Sequence, residues 1–242
     1  MSNFFIRSAI WMRYQSRKIF RPRTVTNRGL RIFLGDHASS TYARSIYRDS
    51  HEAEEREIVL RNLADDDTVL ECGAGLGLVT ILCCRKIGSD RVHTLEANPA
   101  LESVLRKNFA LNHVSPDLQI KLVALEEGEE DFYVDEKFVT SSRFGSDEDV
   151  GRQQQKVPAV SLQKLLDSIR PTFLIMDIEG AEVDLADSSL NLSTVRKLCI
   201  EMHPQIVGNE AITRVVARLV EQGFTWQLRE SKQDVLFFSR AA

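Results

Sequence analysis

The run Val69-Leu70-Glu71-Cys72-Gly73-Ala74-Gly75-Leu76-Gly77, continued without a break by the apolar stretch Leu78–Ile87, decides the fold. An apolar strand ends in an acid, a turn of small residues follows, and a helix starts at once. Strand, turn and helix together make a cradle for a nucleotide-like ligand, because the backbone must pass close to the ligand where side chains would block it. The glycines at 73, 75 and 77 are spaced G-x-G-x-G. A dinucleotide fingerprint needs its third glycine one place later, where this chain has Leu78. The acid ahead of the first glycine also suits a ligand with an ammonium group better than one with a pyrophosphate. The combination points to S-adenosylmethionine rather than NAD, with Gly73, Ala74, Gly75 and Gly77 as the cradle and Glu71 toward the charged amino-acid end.

Outward from this run, strands and helices alternate. A helical period covers Glu52–Leu63, and Asp65-Asp66-Asp67 turns the chain into the strand Thr68–Cys72. Further strands are expected at Arg91–Glu96, Gln119–Leu125, Thr172–Met176 and Leu198–Met202, with an added strand at Phe132–Val134. Helices are expected from Asn98-Pro99 to Leu111, where proline suits the first turn, and at Ser161–Ile169, Gly180–Ala186 and Asn209–Gln222. Phe224–Leu228 and Val235–Phe238 suit a closing antiparallel hairpin. This pattern gives an α/β fold: a Rossmann-like, doubly wound, mostly parallel seven-stranded sheet with a C-terminal antiparallel hairpin. Ligands bind such sheets beyond the carboxyl ends of the strands. Glu96 ends the second strand, where an acid accepts both ribose hydroxyls of a nucleoside; Ala97 beside it and Ala124 at the end of the third strand complete the expected cofactor wall.

The 242 residues, 43% hydrophobic and 27% charged, suit one globular domain with an N-terminal extension. The net charge of −4 makes no global case for nucleic acid. Cys72, Cys83, Cys84 and Cys199 lack C-x-x-C spacing, so they read as reduced, buried thiols in a cytoplasmic protein. No stretch approaches the roughly 20 apolar residues of a membrane span, and the N-terminus does not read as a secretory signal. Charge is uneven, however. The first 48 residues carry Arg7, Arg13, Arg17, Lys18, Arg21, Arg23, Arg28, Arg31, Arg44 and Arg48 against the single acid Asp36. Residues 1–50 are therefore set apart as a basic extension, and 51–242 as the catalytic domain. Residues 1–25 read as an amphipathic helix that either rests on an anionic membrane surface or packs on its own domain or on a sister subunit of a homodimer.

Two further acidic segments begin at strand ends on the ligand rim: Met176-Asp177-Ile178-Glu179-Gly180-Ala181-Glu182 and Ile200-Glu201-Met202-His203-Pro204. With ECGAGLG and LEANP they bring the chain to resemble the FkbM family of S-adenosylmethionine-dependent methyltransferases, whose pattern is acid-x-GAN-x-G, acid-x-x-P, D-x-EGAE and E-x-HP in that order. The resemblance covers residues 50–205 and departs at Gly75, where the family has Asn. It implies a class I methyltransferase fold and methyl transfer to oxygen on a sugar, polyketide or related small molecule or glycan; the basic N-terminus leaves nucleic-acid methylation as an alternative, but with no basic-aromatic binding motif no nucleic-acid partner is expected. Asp177 is the candidate to hold the acceptor hydroxyl or take its proton, or else to cap the following helix. Glu179 is expected to position the acceptor, and His203 to transfer protons near neutral pH, oriented by Glu201. Glu182 is expected one layer further out. Asp177 and Glu179 lack a third placed oxygen ligand, so no metal is expected. His51, His93 and His113 read as surface or helix-flanking residues, and Ser141 and Ser142 in the polar stretch 135–156 as possible acceptor contacts. The competing readings are an NAD-dependent oxidoreductase, against which Leu78 argues, and a degenerate methyltransferase fold serving as a binding module. No Asn-Pro-Pro-aromatic amine site is present.

Overall fold

The computed structural model describes residues 2–35, 41–134, 153–187 and 189–241. Ser141, Ser142 and most of the polar stretch between 135 and 156 lie outside the described residues.

In chain order the elements are α1 (Ser2–Phe20), β1 (Thr24–Asn27), β2 (Leu30–Phe33), α2 (Thr41–Arg48), α3 (Ala53–Asn62), β3 (Val69–Cys72), α4 (Leu78–Ile87), β4 (Val92–Glu96), α5 (Glu102–Leu111), β5 (Asp117–Ile120), β6 (Leu122–Ala124) and β7 (Gly128–Val134). Then follow β8 (Gln153–Ser161), α6 (Leu162–Ile169), β9 (Phe173–Met176), β10 (Lys197–Glu201), α7 (Pro204–Glu221), β11 (Thr225–Trp226) and β12 (Val235–Ser239). Ala181–Ala186 is a 3-10 helix rather than an α-helix. The main sheet has seven strands in the order β11-β12-β10-β9-β3-β4-β5. The pairs β10–β9, β9–β3, β3–β4 and β4–β5 are parallel, and β12 runs antiparallel to both β10 and β11. The expected third strand is split: β5 ends at Ile120, and after Lys121 the chain enters a separate three-stranded sheet, β6-β8-β7.

Strand periodicity of two sorts the core into two layers. Leu70, Cys72, Leu174, Met176, Leu198 and Ile200 face one way, against Leu162, Leu165 and Leu166 of α6 and Val215 and Leu219 of α7. Val69, Val92, Phe173, Ile175 and Cys199 face the other, against Ile58 and Val59 of α3 and Val79, Cys83 and Ile87 of α4. Glu71, Asp177 and Glu201 continue this second set, which places them on the side of α3 and α4.

Residues 24–48 are not a detachable extension. Val25, Leu30, Ile32, Ala43, Ile46 and Tyr47 are buried in one cluster with Leu76, Leu78 and Ile81 of the turn and α4, and with Leu105 and Phe109 of α5. Asn108 and Asn112 of α5 bind the β2 backbone: Asn108 Oδ1 accepts from Phe33 N at 2.7 Å, and Asn112 Oδ1 from Arg31 N at 3.0 Å. The boundary at residue 50 therefore marks a change in composition, not a break in packing. Helix α1 is held by Arg13 and Arg17 on buried Asp49, while Trp11, Met12, Ile19 and Phe20 remain exposed. No helix among the described residues is long and apolar enough to cross a membrane.

Candidate active site

The carboxyl ends of β3, β4, β9 and β10 open into one cavity of about 510 Å³, a size usual for small-molecule sites. Gly73, Gly75, Glu96 and Ala97 form one side of it; Asp177, Glu179 and His203 form another.

On the first side, the turn after β3 is built by its glycines. Gly73 has φ +95°, and a Cβ there would stand 1.8 Å from the Asp177 carbonyl oxygen, so no larger residue allows the turn to cross the end of β9. Gly75 has φ +53° and donates its N–H to Glu96 Oε2 at 2.9 Å. Asn is the side chain that best tolerates this left-handed conformation, which explains how the family's Asn and this chain's Gly make the same turn. Glu96 Oε1 accepts from Asn98 N at 2.8 Å. Both oxygens of this carboxylate are thus anchored by backbone donors, and Glu96 lines the cavity. Burial pushes the Glu96 carboxyl up to about 6, against the opposing pull of the backbone N–H groups of Asn98, Gly75, Ala97 and Ala74.

Four expected cofactor contacts stand off this wall. Glu71 follows Val69 on the α4 face, so its buried carboxylate lies under that helix, where Oε2 accepts from the Thr80 hydroxyl and from Thr94 Oγ1 at 2.7 Å. Burial raises its pKa to about 8, which the two hydroxyls only partly offset. Ala74 is buried in the cluster beneath the turn. At Gly77 a Cβ would meet Phe109 Cε1 at 2.7 Å, so that glycine serves the packing of α5. Ala124 is buried in the small sheet with Phe132, and its predecessors Leu122 and Val123 line the cavity instead.

On the second side, Glu182 is the organising residue. It is 1% exposed. Its Oε1 accepts from Ile178 N at 2.9 Å and its Oε2 from Gly180 N at 2.8 Å, so it, not Asp177, satisfies the backbone donors of this turn. It also faces His203 Nδ1 at 3.0 Å. Glu182, rather than Glu201, thus orients the imidazole, leaving Nε2 toward Asp177 Oδ1 and Glu179 Oε2, each at 3.5 Å. Burial opposes charge on His203, but the Glu182 hydrogen bond and the charges of Glu182, Asp177 and Glu179 outweigh it and raise its pKa to about 9. The ring is therefore already protonated at pH 7, which corrects the expectation of a neutral base. Burial pushes the Asp177 carboxyl up, reinforced by Glu201 and Glu179 and opposed by His203. Glu179 holds φ +51°, a left-handed backbone that costs roughly 1–2 kcal/mol in a non-glycine residue.

The cavity also contains residues that motif reading passed over. Glu52 and Glu55 enter from α3, His51 from just before it, and Lys121 from the β5–β6 junction. His51 flanks α3, as expected, but is partly buried rather than on the surface: it faces Ser45 Oγ at 3.1 Å and Glu52 Oε1 at 2.9 Å. Glu55 had a readable signal, since it lies three and four places before Ile58 and Val59 and so on the buried stripe of α3. Among the described residues Glu179 joins no close carboxylate group with Asp177, but oxygens of Glu55, Asp177 and Glu201 all lie within 4.8 Å of one another.

Comparison with known proteins agrees with this geometry. The family model "Methyltransferase FkbM domain" matches residues 71–225. A protein of Methanocaldococcus jannaschii, provisionally described as a protein N5-glutamine methyltransferase, is 35% identical over 65 residues, which span 26% of this chain and 32% of that relative. Among solved structures, a provisionally assigned S-adenosylmethionine-dependent methyltransferase from Streptococcus mutans superposes with a TM-score of 0.50 at 10% identity, covering 90% of this chain and 56% of the other. The ribosomal protein L11 methylase of Lactobacillus delbrueckii subsp. bulgaricus gives 0.46 at 16% identity, with 80% of each chain covered. The architecture is that of the class I methyltransferases.

Proposed function

Because the chain belongs to the FkbM methyltransferase family, we propose that it transfers the methyl group of S-adenosylmethionine to a hydroxyl oxygen of a small-molecule or glycan acceptor. The observation that carries the cofactor is Glu96, a buried carboxylate at the end of β4 that lines the cavity beside Gly73 and Gly75. That pairing suits the vicinal hydroxyls of a ribose. When bound, S-adenosylmethionine supplies an electrophilic methyl carbon that bonds to the acceptor oxygen as its bond to sulfur breaks and the electron pair stays on sulfur.

The chain's own residues must align the acceptor and take its proton. Alignment alone is worth about 7–11 kcal/mol. Asp177 is the proton acceptor in this reading, since its oxygen lies on the cavity and its raised pKa makes it more basic than a solvated carboxylate. Protonated His203 faces both Asp177 and Glu179 at 3.5 Å and opposes the rise of the Asp177 pKa. Glu182 fixes that imidazole from behind.

The test is incubation of the purified chain with a methyl-labelled donor and a panel of hydroxylated acceptors, read by product mass spectrometry. A labelled methyl ether supports the proposal; label found only on amide or amine nitrogen refutes the choice of oxygen. Asp177→Asn is expected to slow turnover by about 10²–10⁴-fold with S-adenosylhomocysteine affinity unchanged.

A further inference from the structure

We propose that Glu55, Asp177 and Glu201 form a site for a divalent metal cation on the floor of the cavity. Their carboxylate oxygens lie within 4.8 Å of one another, the spread spanned by ligands around one hard cation with metal–oxygen distances of about 2.0–2.6 Å. The convergence follows from the fold. Asp177 and Glu201 follow paired parallel strands on the face turned toward α3, and Glu55 lies on the buried stripe of that helix.

Glu55 is the observation that separates this site from an ordinary acidic patch. It is 4% exposed and lines the cavity, yet among the described residues its carboxylate makes no hydrogen bond and no ion pair. Nor does any Lys or Arg pair with Asp177 or Glu201 among those residues. An ionised carboxylate buried without a partner is costly, so such groups are held neutral, paired or bound to metal, and it is the convergence with Asp177 and Glu201 that favours the last. Glu52 repeats the theme at the rim, where its Oε2 is buried with no partner. The neighbouring group Asp177, Glu182 and His203 is different, because Glu182 and His203 Nδ1 already satisfy one another and the turn.

An all-carboxylate donor set selects a hard cation such as Mg²⁺, Mn²⁺ or Ca²⁺. Two positive charges offset three carboxylates better than the single ammonium of an acceptor could. A cation held here would lower the pKa of an acceptor hydroxyl and so assist the proton transfer assigned to Asp177. This role rests on the methyl-transfer reading, but binding of the cation does not.

The experiment is titration of the purified full chain with Mn²⁺, followed by electron paramagnetic resonance and calorimetry, with S-adenosylhomocysteine titrated separately. The wild type is expected to take up one Mn²⁺ per chain. Glu55→Gln and Glu201→Gln should each weaken uptake by about tenfold or more while keeping the wild-type melting profile and S-adenosylhomocysteine affinity. No saturable uptake by the wild type up to about 10 mM, above the weakest protein Ca²⁺ sites, overturns the proposal. So does uptake unchanged in both variants. Mn²⁺ uptake without S-adenosylhomocysteine binding would instead remove the cofactor assignment and leave the metal site standing.

Discussion

Replacing Glu96 by glutamine changes one atom on the cavity wall and should weaken S-adenosylhomocysteine binding by about two orders of magnitude. The wild-type carboxylate is anchored by Gly75 N at 2.9 Å and Asn98 N at 2.8 Å, and it keeps acceptor capacity for the two ribose hydroxyls. Hydrogen bonds to an ionised acceptor are worth about 1.5–3 kcal/mol each. Losing two such bonds costs about 3 kcal/mol or more, and each 1.4 kcal/mol is a factor of ten in affinity. The amide makes matters worse, since its NH₂ must face one of the two backbone donors. The wild type offers a second arm free of any substitution. With the carboxyl raised to about 6 by burial, it is ionised at pH 7.5 and only about one-tenth ionised at pH 5. Apparent affinity scales with the competent fraction, so the wild-type dissociation constant should rise roughly tenfold from pH 7.5 to pH 5, while that of the Gln variant stays flat. Isothermal titration calorimetry at the two pH values reads both arms. Equal affinities for wild type and variant at pH 7.5, or a wild type indifferent to pH, would refute the assignment of Glu96 to the ribose.

Gly73→Ala and Gly208→Ala form a matched pair. Both glycines hold positive φ, at +95° and +78°, but a Cβ at Gly208 meets nothing within 4 Å while one at Gly73 lands 1.8 Å from the Asp177 carbonyl. Gly208, with ψ 158°, holds a backbone conformation reserved almost wholly for glycine, so Gly208→Ala should cost about 1–3 kcal/mol. Gly73→Ala should lose more than about 4 kcal/mol, or roughly 8–16 °C in Tm at about 2–4 °C per kcal/mol; equal melting shifts would show that the turn does not cross β9 as described. For Glu71, the folded-state pKa of about 8 stands above the reference value of 4.5, so the folded chain binds the extra proton across that window and stability falls as pH rises through it. Between pH 6 and pH 8 this one group should remove about 2 kcal/mol from the wild type. Glu71→Gln keeps an oxygen for Thr80 and Thr94 and should lose that slope, which urea denaturation at the two pH values measures; parallel slopes would mean that Glu71 is ionised in the fold.

The sheet was legible because its signals are local. Runs such as Phe173–Met176 and Leu198–Ile200 are apolar throughout, as strands covered on both faces must be, and turn residues mark their ends. Where the signal was not local, reading by pattern fell short. In Gln119–Leu125 a lone Lys121 between apolar neighbours does not announce that one sheet ends and another starts, because a single charged residue is ordinary in a half-exposed strand. The basic N-terminal segment likewise looked separate by charge, yet Ile32, Ile46 and Tyr47 share one core with Leu76, Leu78, Ile81, Leu105 and Phe109.

The same division runs through the site. Motif order placed Glu96, Asp177, Glu179 and His203 around one cavity, since each directly follows or ends a strand whose carboxyl end faces the ligand rim. It misjudged Glu71, because a motif records that an acid precedes the glycines but not which face it takes. Period two settles that point: Glu71 shares the side of Val69, under α4, and Thr80 is the residue there to receive it. Strand parity also carries Asp177 and Glu201 to the α3 side, and helical periodicity turns Glu55 to meet them. The three-acid floor is therefore implied by two periodicities that can be read in the sequence, but only once the strand order puts β9, β10 and α3 side by side. That order is a tertiary fact, fixed by which apolar faces cover one another and not by any single segment. An acid in an apolar stripe, such as Glu55 ahead of Ile58 and Val59, is thus the mark to look for where a helix covers the strand ends of a sheet of this kind.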